Sequence, residues 1–99
     1  MNLSFQLIQN FFVQNYISKN IVYPFEAKVN NVQGTVYVQF AVDTSGRVTD
    51  VKVLRKVADD LDAEALRVVR NMPQWQPGEF QGEKVSIYYT VPIHFQLTD

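Results

Sequence analysis

The 99-residue sequence contains no cysteine, which excludes disulfide bonds, thiolate nucleophiles and cysteine-based metal sites. It has little charge of either sign, with nine Lys and Arg residues and ten Asp and Glu residues. These nearly cancel, so the net charge is −1. A chain this close to neutral lacks the basic footprint of a protein that binds nucleic acid or an anionic membrane. No run approaches the roughly 18 uninterrupted apolar residues of a membrane span, and the N-terminus lacks the pattern of a signal peptide. With 46% hydrophobic residues, the composition predicts one compact domain over residues 1–99.

The most regular pattern lies near the C-terminus, where residues 85–97 read VSIYYTVPIHFQL. Apolar residues recur with a period of two, which predicts one long β-strand with a single buried face. Pro92 lies inside this strand and has no N–H to give to a neighbouring strand. The pattern therefore predicts a strand at the edge of a sheet, whose unpaired backbone groups are available to another chain.

Helices are predicted in three places. Apolar residues at three- and four-residue steps indicate an amphipathic helix through about residue 18. Its predicted stripe consists of Phe5, Leu7, Ile8, Phe11, Phe12 and Tyr16. Pro24 suits the first position of a short second helix. The third helix is predicted to be capped by Asp59 or Asp60 and stopped by Pro73.

The remaining strands follow from alternation and turn residues. Residues 35–42 and 47–56 are predicted to form a hairpin around a turn at residues 43–46, with a bulge or a ragged hairpin end near Thr49. A type II turn is predicted at residues 76–79, just before the long strand.

This order of elements predicts an α+β fold. Helix-linked strands with a right-handed crossover place the last strand beside the first. The expected architecture is two or three helices packed on one face of a three-stranded antiparallel sheet. The strand order is second, first, last, and the long last strand forms the free edge.

No catalytic or metal site is predicted, and no cofactor is expected. His94 is the only histidine and has no carboxylate at ligand spacing, so it is interpreted as an exposed strand residue. The acidic residues at 59–64 are interpreted as helix capping. Trp75 is interpreted as a core residue, and Tyr37 and Tyr88 are predicted on the sheet face away from the helices. An enzyme is the least favoured class, since no nucleophile–base pair is recognisable.

Several short motifs stand at defined spacings along the chain. They are Tyr-Pro at 23–24, Val-Asp at 42–43, Asp-Ala-Glu-Ala at 62–65 and Trp-Gln-Pro-Gly at 75–78. In this combination the sequence resembles the C-terminal domain of TonB energy transducers over about residues 13–97. Residues 1–12 form a helical N-terminal extension outside the resemblance.

The resemblance implies a periplasmic module that recognises the TonB box of an outer-membrane TonB-dependent transporter by β-strand addition. It also implies transmission of force for substrate import from the proton-driven ExbB–ExbD complex of the inner membrane. Family members usually carry an N-terminal membrane helix, and such a tether is expected upstream of residue 1.

The residues expected to contact a partner come from the outward side of the last strand and, by resemblance, from the segment before Pro24. They are Asn20, Ile21, Val22, Tyr23, Ser86, Tyr88, Thr90, Pro92 and His94. The alternative interpretation is a self-associating structural or interaction domain of a TonB-like membrane sensor or envelope-integrity protein. In that case the edge strand would pair with its twin in a homodimer.

Overall fold

The computed structural model describes the backbone of residues 3–98 and the side chains of residues 12–98. In chain order, the elements are α1 (Leu3–Asn20), α2 (Phe25–Val29), β1 (Gly34–Val42), β2 (Val48–Arg55), α3 (Asp59–Arg70), β3 (Gly78–Phe80), β4 (Glu83–Val85) and β5 (Ile87–Phe95).

β1 is the central strand of an antiparallel sheet with the order β2-β1-β5. It pairs with β5 without a register shift, from Gly34 opposite Phe95 to Val42 opposite Ile87. This arrangement confirms the predicted α+β fold and the strand order second, first, last. It also confirms that the last strand lies at a sheet edge.

One face of the sheet carries the hydrophobic core. Val36, Val38 and Phe40 of β1 are buried on this face, because alternate side chains of a strand point the same way. The helices cover it with Val13, Ile17, Leu61, Ala65, Val68 and Val69. Full burial of a Val or Leu side chain contributes roughly 1.5–3 kcal/mol, so this contact fixes which face of the sheet is covered.

Among the described side chains, α1 agrees with the predicted stripe at Tyr16, which is half-buried against the core, and differs from it at Phe12. Val13 and Ile17 lie in the core, whereas Phe12 is 61% exposed. The prediction is wrong at Phe12 because neighbouring positions on a helix differ by about 100°, so a shift of one residue exchanges the buried side chains. The predicted stripe residues Phe5, Leu7, Ile8 and Phe11 lie outside the described side chains.

The start of α3 also differs from expectation. Asp59 and Asp60 already lie inside the helix, and the preceding residue, Ala58, has no side chain that could cap it. Instead, Asp62 reaches back from the first turn, and its Oδ1 accepts a hydrogen bond from the N–H of Val57 at 3.0 Å. The predicted capping by Asp59 or Asp60 is therefore wrong.

The predicted bulge in β2 is confirmed. Ala41 of β1 pairs with Thr49, but Gln39 pairs with Lys52, so β2 contains an additional residue between these pairs. Asp50 lies at this irregularity with a φ of 53°. A bulge of this kind bends the strand and interrupts its ladder.

A small hairpin of β3 and β4 precedes β5 and was not predicted. Its turn is made by Gln81 and Gly82, whose φ values of 51° and 82° suit a tight two-residue turn. The predicted type II turn at residues 76–79 is wrong, because Gly78 belongs to β3. A Cβ at Gly78 would lie 2.0 Å from Cδ1 of Ile87, so a larger residue there would require the Ile87 side chain to move.

Trp75 is half-buried and packs against the core, in agreement with its predicted packing role. Its ring centroid lies 5.0 Å from that of Tyr89 and 5.5 Å from that of Phe40. The rings of Phe40 and Tyr89 stack in turn at 5.8 Å. Burial in this cluster raises the pKa of the Tyr89 phenol.

The β1–β2 turn holds the segment that carries Trp75. The backbone N–H of Trp75 donates to the carbonyl of Gly46 at 2.7 Å. Gly46 has a φ of +87°, as its predicted turn role requires, and an added Cβ would lie 2.0 Å from the Trp75 carbonyl oxygen. Asp43 Oδ1 accepts from the hydroxyl of Ser45 and the N–H of Arg47, and these bonds lower the pKa of Asp43.

We expect Gly46→Ala to destabilise the domain by about 2–4 kcal/mol, because positive φ costs about 1–2 kcal/mol and steric overlap adds a comparable amount. Gly82→Ala is the matched control. Its φ of +82° is similar, but nothing lies within 4 Å of its added Cβ. Urea unfolding of both variants measures the difference. Equal losses of stability would contradict the close approach at Trp75.

Candidate partner-binding edge

The outer side of β5 is a free strand edge. β5 pairs with β1 on one side, and none of residues 3–98 pairs with it on the other. The β5 sequence IYYTVPIHF contains no Asp, Glu, Lys or Arg. A long, straight and uncharged edge is what a second strand needs for pairing.

The register identifies which backbone groups face the free side. In an antiparallel pair, residues that exchange both hydrogen bonds alternate with residues that direct both groups away. Pro92 has no N–H, so its place opposite Tyr37 fits the outward set. His94 and Thr35 fit the same phase, because their side chains meet at 2.9 Å, as expected of a closely spaced, non-bonded pair. Tyr88, Thr90 and His94 thus present N–H and C=O to the free side, and Pro92 presents only C=O.

The other edge of the sheet is less suited to pairing. β2 has two register irregularities, one of them at Asp50. It also carries the charged residues Lys52 and Arg55. Bulges and charged side chains are the usual means by which proteins prevent pairing at an edge. The pairing-competent edge is therefore that of β5.

The predicted long strand over residues 85–97 is interrupted, and this changes one predicted site residue. Ser86 lies between β4 and β5 and belongs to neither strand. Tyr88, Thr90 and Pro92 lie within β5, and Tyr88 is 61% exposed. Tyr88 and Tyr37 are both exposed, as expected for the face away from the helices.

The segment from Asn20 to Tyr23 is tied to α3. Glu64 Oε2 accepts from the backbone N–H of Val22 at 2.7 Å. Arg67 donates from Nη2 to the carbonyl of Asn20 at 3.0 Å, and from Nε to Glu64 Oε1 at 2.7 Å. We call Glu64 and Arg67 the α3 clip.

The α3 clip places Tyr23 at one end of β5. The Tyr23 ring lies edge-on to Phe95, with centroids 5.5 Å apart, and its hydroxyl donates to the carbonyl of Val32. Val22 beside it is 64% exposed. The structure therefore brings Tyr23 next to the last residue of β5, while Ile21 packs against the core.

The α3 clip was missed by the sequence analysis, which interpreted Glu64 only as part of helix capping. The i, i+3 spacing of Glu64 and Arg67 was a signal for their ion pair, but nothing local indicated a bond to Val22. The hydrogen bond from Arg67 lowers the pKa of Glu64, and the N–H of Val22 adds to this effect. The same pair raises the pKa of Arg67.

A second concave surface lies between α1 and the chain after α3. This groove has a volume of about 410 Å³ and reaches from Phe12 and Tyr16 to Met72 and Trp75. Among the described side chains that line it, Lys19 is the single charged one, so these residues offer no acid–base pair.

Two searches of the described part of the chain gave negative results. No group of three or more His, Asp or Glu side chains could hold a metal ion. No helix there is long and apolar enough to cross a membrane. Neither result bears on residues outside the described range.

The structure is a small α+β domain in which the outer edge of β5 is unpaired among residues 3–98. A family model for the Gram-negative bacterial TonB protein C-terminal region matches residues 19–97. The chain belongs to this family.

Comparisons with individual proteins agree with this assignment. Two relatives, each named Protein TonB and from two strains of Helicobacter pylori, are 27% identical over 88 residues. The match covers 88% of this chain and 30% of each relative. The chain thus spans less than a third of the length of these relatives.

Solved structures show the same fold. A solution NMR structure of the Helicobacter pylori TonB C-terminal domain has a TM-score of 0.69 and 26% identity, covering 88% of this chain and 78% of that one. The Pseudomonas aeruginosa TonB C-terminal domain has a TM-score of 0.60 and 26% identity, covering 79% of each chain.

We expect Glu64→Gln to destabilise the domain by about 1 kcal/mol at pH 7, because a charge-assisted bond to Val22 is lost. The pKa of Glu64 is lowered below its ordinary value of 4.5, so its contribution is present above about that pH. It is lost as the pH falls through the folded-state pKa. The stability difference between wild type and variant should therefore shrink below pH 4.5.

Urea unfolding at pH 7 and at pH 3 measures this difference. Glu79→Gln, on the exposed β3 strand, removes the same charge and is expected to change stability by less than about 0.5 kcal/mol. A Glu64→Gln penalty that is the same at both pH values would contradict the role of the carboxylate.

Proposed function

We propose that this domain captures an extended peptide by adding it as a further strand to the free edge of β5. The observation that carries the proposal is the row of outward backbone groups at Tyr88, Thr90 and His94. No Asp, Glu, Lys or Arg side chain of β5 lies beside them. Strand addition draws its affinity from main-chain bonds and its selectivity from alternate side chains. It therefore needs no catalytic group and no cofactor.

The covered face of the sheet supports the same proposal. Val91, Ile93 and Phe95 of β5 are buried beneath the helices, and β5 pairs with β1 without a register shift, so the strand is held in place before any peptide arrives. Because the edge is already formed, only the peptide loses conformational entropy when it binds.

Family membership supports a specific partner. In this proposal the peptide is the TonB box of an outer-membrane TonB-dependent transporter, and the domain works in the periplasm. It acts as the distal part of an energy transducer that transmits force from the proton-driven ExbB–ExbD complex for substrate import.

The segment from Asn20 to Tyr23 is proposed as a second contact for the same partner. Val22 is largely exposed, and Tyr23 lies against Phe95 at the end of β5. The α3 clip holds this segment in place through Asn20 and Val22. A peptide that runs along β5 to Phe95 would therefore meet Val22 beyond the last backbone bond.

Titration of the isotopically labelled domain with a synthetic peptide tests the proposal. The peptide spans the N-terminal segment of a mature outer-membrane transporter from the same organism. We expect the backbone amide signals of β5 to shift, and those of β2 to remain. Shifts confined to β2, or none at millimolar peptide, would refute strand addition at β5.

Two proline variants locate the contact within the chain. Thr90→Pro removes an outward N–H from β5 and should weaken peptide binding by about fivefold or more, since one backbone bond is worth about 1 kcal/mol. Ser86→Pro makes the same chemical change outside β5 and should leave the affinity unaltered. Circular dichroism checks that both variants fold. Equal affinities of the two variants would contradict the proposed register.

A further inference from the structure

We propose that Pro92 makes the edge of β5 selective for a single foreign strand and disfavours pairing between two copies of this domain. This inference rests on the proposed function, because it concerns the same edge. It addresses which partner the edge accepts, and it makes the β5-paired homodimer the weaker of the two complexes.

A foreign strand loses little at Pro92. Outward residues of β5 offer one N–H and one C=O each, apart from Pro92, which offers only C=O. A peptide that pairs with β5 in either direction therefore finds one donor missing, at Pro92. The peptide carbonyl that faces Pro92 can instead accept a hydrogen bond from water. The bonds at Tyr88, Thr90 and His94 remain available.

A second copy loses twice as much. Each copy contributes its own Pro92 to a symmetric pair, so two donors are missing from the shared ladder. If the two copies pair in a shifted register that leaves Pro92 outside the ladder, only the short stretch at Tyr88 and Thr90 remains paired. Every register of self-pairing is therefore either doubly deficient or short.

No other feature of β5 opposes self-pairing. The strand has no bulge against β1 and no charged side chain, whereas β2 has both devices. Proline on an edge strand is one of the known means of preventing edge-to-edge association. Within β5, Pro92 is the residue that opposes edge-to-edge association.

Pro92→Val tests the inference, because valine restores the donor and suits a strand. At about fivefold per backbone bond, we expect the dissociation constant of the peptide to fall about fivefold and that of self-association to fall about thirtyfold. Sedimentation over a dilution series measures self-association. Fluorescence anisotropy with the labelled transporter peptide measures binding.

His94→Val is the matched control for the side chain. It places the same apolar, β-branched side chain at another outward position of β5 but adds no donor. We expect it to self-associate no more than the wild type. Self-association of His94→Val equal to that of Pro92→Val would overturn the inference, because the side chain would then be the cause.

The remaining outcomes separate this inference from the proposed function. A Pro92→Val variant that self-associates no more than the wild type overturns the selectivity, even if the peptide binds β5. The selectivity is also overturned if the wild type dimerises through β5 with a dissociation constant as low as that for the peptide. Failure of the peptide to bind refutes the proposed function. Self-association of Pro92→Val is measured without peptide, so it tests the inference in that case as well.

Discussion

Backbone hydrogen bonding on one side of β5 is the constraint on which the rest of this structure depends. The inner side is fully used by β1, with pairing from Gly34–Phe95 to Val42–Ile87. The outer side is free among the described residues. Strand edges are normally guarded in soluble proteins, and here β2 is guarded by its bulges and charges while β5 carries only Pro92. This asymmetry between the two edges is the reason the proposed strand addition is placed at β5 and not at β2.

The buried face explains why this edge keeps its shape. Phe40, near the C-terminal end of β1, contacts Trp75 and Tyr89, so β5 is joined to the chain after α3 by aromatic packing as well as by its ladder. At the opposite end, Tyr23 packs on Phe95 and is held through the α3 clip. Both ends of β5 are therefore fixed by residues distant in sequence, and a partner strand would meet a preformed template.

Much of the fold could be predicted because its signals are local. The alternation in β5, the missing donor of Pro92 and the turn at Gly46 are properties of short segments, and they led to the strand order and to the free edge. The predictions that are wrong depend on details that local pattern does not contain. Phe12 and Val13 are both apolar, and only packing on the sheet decides that Val13 is buried.

The site was predicted in part for the same reason. Tyr88, Thr90, Pro92 and His94 follow from the period of two in β5, whereas the break at Ser86 follows from the β3–β4 hairpin and from the contact between Gly78 and Ile87. The α3 clip joins residues that are 42 and 47 positions apart in the chain. No spacing rule in a single sequence indicates such bonds, so they become visible only when the fold is known.

Amide hydrogen exchange along β5 is the most direct test of the central claim. In the free domain, the N–H groups bonded to β1, such as those of Tyr89, Val91 and Ile93, should exchange slowly. Those of Tyr88, Thr90 and His94 should exchange quickly and should become protected when the transporter peptide is bound. Slow exchange at Tyr88, Thr90 and His94 before binding, or no gain in protection afterwards, would contradict the account.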